Sequence, residues 1–394
     1  MHQYTADLAR QATTLGHQVH VVTTSMAPRD RYAPGVHLHT PVAHTTTGFA
    51  PEGARPAGVM RVWRQIMALQ PDVVHFTGVH LWNPLLLALL RREGVATVHT
   101  LHDLDPHPDA QHGRLIRLWN HLVMIGAGRL LVHAERYRQQ LTRQRPSAHV
   151  HTWPLTHTFL GAAAEDELLT APPARMWESW VLFFGRVERY KGIDVLLAAA
   201  QGQNGDPPGV VIAGRSRSAL LTSPGVIHLN RHIGDRLGWE LFCRCRAVVL
   251  PYTGATQSAL PAAAYAFGKP VIVSDSGALT ENVTPGQTGW VTPAGDATAL
   301  AATLAEVRRC TPARLAALGD AGRTWREMAR IEERRRLGAM YIAVVGERTV
   351  TQGEARSGGN PALQPNHTPD CASATLASTF TYSPSCPDAI SEGA

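Results

Sequence analysis

Short apolar runs rich in β-branched residues, separated by stretches of helical spacing, constrain this chain more than any other feature of it. Four such runs fall in the first half, at 19–22, 72–76, 95–100 and 130–132, and four in the second, at 181–184, 210–213, 247–250 and 270–273. The runs show no inside–outside alternation. Each therefore reads as a strand buried on both faces, as in a parallel sheet covered by helices. Tyr4, Leu8, Ala12 and Leu15 mark one face of a first helix that Gly16 ends. Residues 59–69 and 84–92 read as helices, and so do 194–200, 236–245, 260–267 and 297–308. The alternation predicts an α/β protein of two Rossmann-like units, 1–152 and 171–324, joined by a linker over 153–170 that contains Pro154. Trp325, Met328, Ile331, Leu337, Tyr341 and Val344 predict one face of a final helix, 325–346, that packs back toward the first unit. Beyond it, 347–394 is rich in Gly, Pro, Ser and Thr without periodicity and is expected to be disordered.

The segment 183–194 carries the first sign of chemistry. An apolar strand stops at Gly185, Arg186 and Lys191 follow five residues apart, and a helix opens after Gly192. Two cations and a helix N-terminus at the carboxyl end of a strand suit a diphosphate. Taken alone, the same residues also read as solvated charges on a loop.

Composition narrows the partners. The formal charge is +6, and 347–394 contributes −3, so the body carries +9. Such a body suits anionic substrates or an anionic membrane face. Nucleic acid is not an expected partner, because basic runs interleaved with aromatics and zinc-finger spacing are both missing. No run of about 18 uncharged apolar residues is present, so no transmembrane helix is expected. Asp7 lies in an opening stretch that reads as a helix, so no signal peptide is expected either. The five cysteines, Cys243, Cys245, Cys310, Cys371 and Cys386, lack metal spacing or a disulfide framework. They point to a reducing cytoplasm and to no bound metal.

Further motifs follow in order: Leu250-Pro251-Tyr252, the stretch 264–274, Gly277-Ala278-Leu279-Thr280-Glu281-Asn282-Val283, and Gly286-Gln287-Thr288-Gly289-Trp290. With Gly185-Arg186 and Lys191-Gly192 they resemble the family 4 (group 1) glycosyltransferases of the GT-B fold. Leu15-Gly16-His17-Gln18-Val19, Pro71-Asp72-Val73-Val74-His75 and Thr97-Val98-His99-Thr100-Leu101-His102-Asp103 resemble the first half of that family. The likeness runs over residues 2–345. It implies retaining transfer from a nucleotide-diphosphate sugar to a hydroxyl acceptor, with no cofactor and no bound metal. It implies that Arg186 and Lys191 grip the diphosphate, that Gly185 lets backbone approach it, and that His102 stands near the reacting sugar. Gln257 and Ser258 fall in the sugar-binding loop, 253–259, and Gly214 and Arg215 near the nucleotide. Glu281 matches an acidic residue that either contacts substrate or caps a helix. His75 and His99 fall inside strands and read as structural. A sugar or lipid-linked acceptor, polysaccharide or glycolipid assembly, and peripheral attachment to the inner membrane face complete the expectation.

The chain departs from the family in two places. Two glutamates separated by seven residues are replaced by Ala255 and Ala263. The first strand and its glycine-rich turn are missing, which implies either a start upstream or a truncated product. These departures keep open a degenerate, non-catalytic GT-B scaffold. A sugar-nucleotide epimerase of the same fold is disfavoured, because its acidic groups cannot be placed.

Overall fold

The computed structural model describes residues 2–43, 55–104, 113–171, 174–176, 178–201, 209–216, 224–254, 256–357, 374–377 and 379–382. The first half runs α1 (His2–Thr14), β1 (Val19–Thr24), β2 (Val36–Val42), α2 (Pro56–Ala68), β3 (Val73–Phe76), α3 (Asn83–Arg92), β4 (Ala96–Thr100), α4 (Gly113–Gly126), β5 (Arg129–Val132), α5 (Glu135–Gln144) and β6 (His149–Thr152). Strands β3, β4, β5 and β6 pair in that order, all parallel, and β1 pairs in parallel with β2. Every residue of β1, β3 and β5 is buried, the polar His20, Thr23, Thr24, His75 and Arg129 along with their apolar neighbours.

After α6 (Ala162–Thr170), the second half runs β7 (Val181–Phe184), α7 (Ile193–Gln201), β8 (Val210–Ala213), β9 (Val226–Leu229), α8 (Asp235–Arg244), β10 (Val248–Leu250), α9 (Leu260–Ala266), β11 (Val271–Ser274), β12 (Gly289–Thr292) and α10 (Ala297–Arg309). Its sheet has the order β12-β11-β10-β7-β8-β9, parallel throughout. From β7 the chain builds outward through β8 and β9. It then returns to the other side of β7 and builds β10, β11 and β12. The direction of winding thus reverses between β7 and β10, and loops leaving such a pair diverge to open a crevice. Those two loops hold residues 185–192 and 251–259.

A single helix, α11 (Pro312–Ser357), returns across both halves. Leu315 joins the core of the second half, whereas Leu337, Met340, Tyr341 and Val344 join Tyr4, Leu8, Val21, Val73 and Val98 in the first. The expected inward face is corrected in one stretch: Met328 and Ile331 are 62% and 61% exposed. The buried stripe there is Arg326, Arg330 and Glu333, which continues at helical spacing into Leu337, Tyr341 and Val344. The two arginines are paired, Arg326 donating to Glu165 at 2.6 Å and Arg330 to Asp7 at 2.9 Å, and Glu333 accepts a hydrogen bond from the Thr156 hydroxyl.

Much of the tail expected to be disordered, 358–373, 378 and 383–394, lies outside the described residues. Of the remainder, 347–357 continue α11, and β13 (Ala374–Ala377) and β14 (Thr379–Tyr382) join the first sheet. β14 runs antiparallel to both β1 and β3, and β13 pairs in parallel with β1. Among the described residues, these are the strands that cover the edges of β1 and β3 facing one another. No helix among the described residues is long and apolar enough to cross a membrane.

Candidate active site

The loop after β7 is forced into place by glycine. Gly192 has φ of 68°, and a Cβ there would lie 1.8 Å from the Pro251 carbonyl oxygen. A Cβ on Gly214, after β8, would lie 1.9 Å from the Gly185 carbonyl oxygen. Only glycine lets these three loop segments meet at one point. The carbonyl of Tyr190 accepts hydrogen bonds from the amides of Thr253 and Gly254, at 2.8 and 3.2 Å, which ties the loop after β7 to the loop after β10.

Lys191 sits at this junction and is only 9% exposed. Its ammonium lies 6.0 Å from the ring centre of Tyr190 and 5.8 Å from that of Tyr252. Among the described residues no carboxylate lies within ion-pair distance of it and no hydrogen bond holds it. Burial lowers its pKa from 10.5 to about 8, with Glu188 opposing the fall. Arg186 is largely exposed and pairs with Glu188 at 3.1 Å. The result is one buried cation with no ion-pair partner among the described residues and one exposed cation beside it. Arg215 follows Gly214 on the same rim and is exposed.

Across the crevice, His102 follows β4. Its Nε2 donates to the Thr77 carbonyl at 2.9 Å, which leaves Nδ1 as the acceptor. Its ring packs edge-on against Tyr4 and lies 5.2 Å from the ring of His133. Burial lowers its pKa to about 4, so the imidazole is neutral. His75 and His99 are fully buried; His75 bonds Tyr341 and Thr100, each at 2.8 Å, and His99 accepts from Asn83 at 3.0 Å.

The two halves touch at the site itself. Gln257 Nε2 donates to the His102 carbonyl at 2.9 Å, and Thr256 donates to Asp103 at 2.8 Å. The Oε1 of Gln257 is buried without a partner among the described residues. Ser258 accepts from the amide of Leu260, the first residue of α9, at 3.2 Å. Glu281 accepts from the amides of Glu135 and Arg136, at 2.7 and 3.1 Å. It therefore caps α5 of the opposite half, and Arg136 returns a bond to the Gly277 carbonyl. Ala263 is buried in α9, and Ala255 lies outside the described residues. Sequence reasoning missed Thr256, Asp103 and Arg136. They hold the crevice together by contacts between distant segments, which no local pattern announces.

The arrangement joins an anion-seeking pair at the switch point of one sheet to a neutral histidine at the rim of the other. Residues 1–155 match the model of the family described as Glycosyltransferase Family 4, and residues 178–309 match that described as Glycosyl transferases group 1. The chain is similar to the GDP-mannose:glycolipid 4-beta-D-mannosyltransferase of Xanthomonas campestris pv. campestris, 24% identical over 58% of this chain. The alignment spans 64% of that relative's length. It is also similar to the D-inositol 3-phosphate glycosyltransferase of Rhodococcus opacus, 27% identical over 81% of this chain and 79% of the other. Sucrose-phosphate synthase from Thermosynechococcus elongatus shares the fold, with a TM-score of 0.60 at 19% identity over 90% of this chain and 93% of that one. So does the Anabaena protein HepE in complex with UDP and glucose, with a TM-score of 0.56 at 15% identity over 78% and 86% of the two chains. With matches to both halves in order, and two largely parallel sheets facing a crevice, the chain belongs to the group 1, family 4 glycosyltransferases and has the GT-B fold.

Proposed function

We infer that this protein transfers a sugar from a nucleotide-diphosphate donor to a hydroxyl acceptor with retention at the anomeric carbon. The observation that carries the reading is Lys191: a buried lysine at a topological switch point that, among the described residues, has no carboxylate within ion-pair distance. Leaving an ammonium in that state is costly, and a diphosphate supplies the missing charge. Arg186 exchanges its exposed pairing with Glu188 for phosphate oxygens. Together the two cations take up the negative charge that grows as the bond from sugar to phosphate breaks, a role that needs no bound metal or cofactor. The acceptor oxygen forms the new bond on the face the phosphate leaves, and a phosphate oxygen takes its proton. His102 Nδ1 accepts a hydrogen bond from a sugar or acceptor hydroxyl, as its neutral state suits. The relatives' names, a glycolipid mannosyltransferase and an inositol-phosphate glycosyltransferase, support a polyol or glycolipid acceptor. A cytoplasmic setting for polysaccharide or glycolipid assembly, with peripheral attachment to the membrane face, fits the basic body.

A second reading, a non-catalytic scaffold, is favoured by the buried Ala263, which removes a carboxylate from the nucleotide side. Calorimetry with uridine, guanosine and adenosine diphosphate sugars, together with a transfer assay, separates the two. Arg186→Ala and Lys191→Ala are each expected to weaken donor binding about ten- to hundredfold, the loss of one charged hydrogen bond. Unchanged circular dichroism would accompany the loss. Full transfer by both variants would refute the diphosphate grip, and donor binding without transfer by the parent would favour the scaffold.

A further inference from the structure

A cleft of about 440 Å³ opens away from the crevice, where α1, α6 and α11 meet. Among the described residues, its walls take nothing from the loops 185–192 and 251–259. Residues 10–14 of α1 line it, about 9–15 Å along that helix from Tyr4, which packs on His102.

The charges around the cleft are unevenly matched. Arg10 donates to Asp7, Glu165 and Asp166 at 3.1, 2.9 and 2.5 Å. Arg330 holds Asp7 with both its terminal nitrogens, and Arg326 holds Glu165 at 2.6 Å. These three carboxylates are therefore occupied. Arg334, one turn along α11 from Arg330, also lines the cleft. It has no ion pair among the described residues, and its Nε is buried without a hydrogen-bond partner there. An anion with two free oxygens supplies the acceptors that such a guanidinium lacks. The rest of the wall suits hydroxyl groups on a carbon frame. Gln11 is 1% exposed, and its Oε1 has no partner among the described residues. Thr13 and Thr14 donate to the carbonyls of Ala9 and Arg10, at 3.0 and 2.9 Å, so their oxygens are left to accept. Pro34 and Leu169 add apolar surface. The volume is that of a small-molecule site rather than of a lone ion.

We propose that this cleft binds a phosphorylated sugar or polyol of five or six carbons as an effector, its phosphate on Arg334 and its hydroxyls on Gln11, Thr13 and Thr14. The site joins α1 of the first half to α6, which follows β6, and to α11, which crosses both halves. A ligand there favours the arrangement in which the three helices meet, and Tyr4 carries that arrangement to His102. The effector role rests on the transferase reading; binding at the cleft does not. Calorimetry of the full chain with ribose 5-phosphate, ribose and inorganic phosphate tests it. Ribose 5-phosphate is expected to bind about tenfold or more tighter than either ribose or phosphate alone. Arg334→Leu is expected to weaken it about tenfold or more, with circular dichroism and donor affinity unchanged. Arg334→Lys keeps the charge without the fork and is expected to fall between. Lys191→Ala is expected to bind ribose 5-phosphate as the parent does, which separates the cleft from the diphosphate grip. Saturating ribose 5-phosphate is expected to raise the parent's donor affinity about fivefold or more, and not that of Arg334→Leu. No binding by the parent, or equal binding by Arg334→Leu, would overturn the site. So would binding that Lys191→Ala loses and Arg334→Leu keeps, since the ligand would then lie in the crevice. Donor affinity unchanged by ribose 5-phosphate would overturn the effector role. A parent that binds ribose 5-phosphate but no nucleotide sugar would refute the transferase reading, and the effector role with it, but not the site.

Discussion

Lys191 shows how burial and function meet in one side chain. Its folded pKa of about 8 lies below the ordinary lysine value of 10.5, so the folded state carries fewer protons than the unfolded one between those limits. Stability therefore rises with pH across that window, and below it the buried charge costs about 3 kcal/mol. A bound diphosphate reverses the sign, because it favours the ammonium. Donor binding near pH 8 is then expected to take up protons and to weaken as pH rises further. Calorimetry in two buffers of different ionisation enthalpy reads this directly, and Lys191→Met should abolish the difference. Buffer-independent heats in the parent would contradict it. The positions of Arg186 and Lys191 after a strand were legible in the sequence because an apolar run stops at Gly185, and that of His102 because it follows the apolar run 95–100, while the roles given to all three came from the family resemblance. The hydrogen bond from Gln257 to the His102 carbonyl was not, since it depends on how the two halves meet.

The secondary structure was readable where strands are central. It was not where they lie at edges: β2, β6 and β9 keep part of their surface exposed and contain histidines among their short runs. Helix α4 escaped notice because apolar residues occupy both its buried and its exposed faces. Helix α11 misled, since its inward stripe changes from apolar to charged between Arg326 and Glu333. Apolar periodicity marks burial only where burial is apolar. Glu333 lies in that stripe, and burial first, then the nearby Asp7, push its pKa from 4.5 up to about 7. Folding therefore takes up a proton in that window, and stability is lost as pH rises from 4.5 through 7, by about 3 kcal/mol. Asp7 titrates below it, since its own value is lowered by Arg330 and Arg10 against the opposing effect of burial. Thermal unfolding of Glu333→Gln should lack this decline and should exceed the parent near neutral pH. Parallel pH profiles for the two proteins would contradict the assignment.

At the scale of the whole molecule, the crevice is held partly closed by contacts across it. Glu281 on α5 and Arg136 on Gly277 join the halves beside the bonds from Gln257 and Thr256. Glu281→Ala removes a carboxylate from a helix N-terminus, an interaction worth about 0.3–1 kcal/mol. It is expected to shift the population toward an open form, seen as a larger radius of gyration in solution scattering, with transfer lowered several-fold. An unchanged scattering profile would show that closure rests on the other contacts.

The sharing of α11 between the two halves bears on how the chain is made. The apolar centre of the first half includes Leu337, Met340, Tyr341 and Val344, and His75 of β3 bonds Tyr341 at 2.8 Å. A ribosome delivers about 5–20 residues per second, so β3 to β6 emerge roughly 10–40 s before the helix that completes them. During that interval the nascent first half stands with an open seam while the second half is translated and folds. Cutting the gene at the linker would make that seam permanent, so the halves are better studied as one chain.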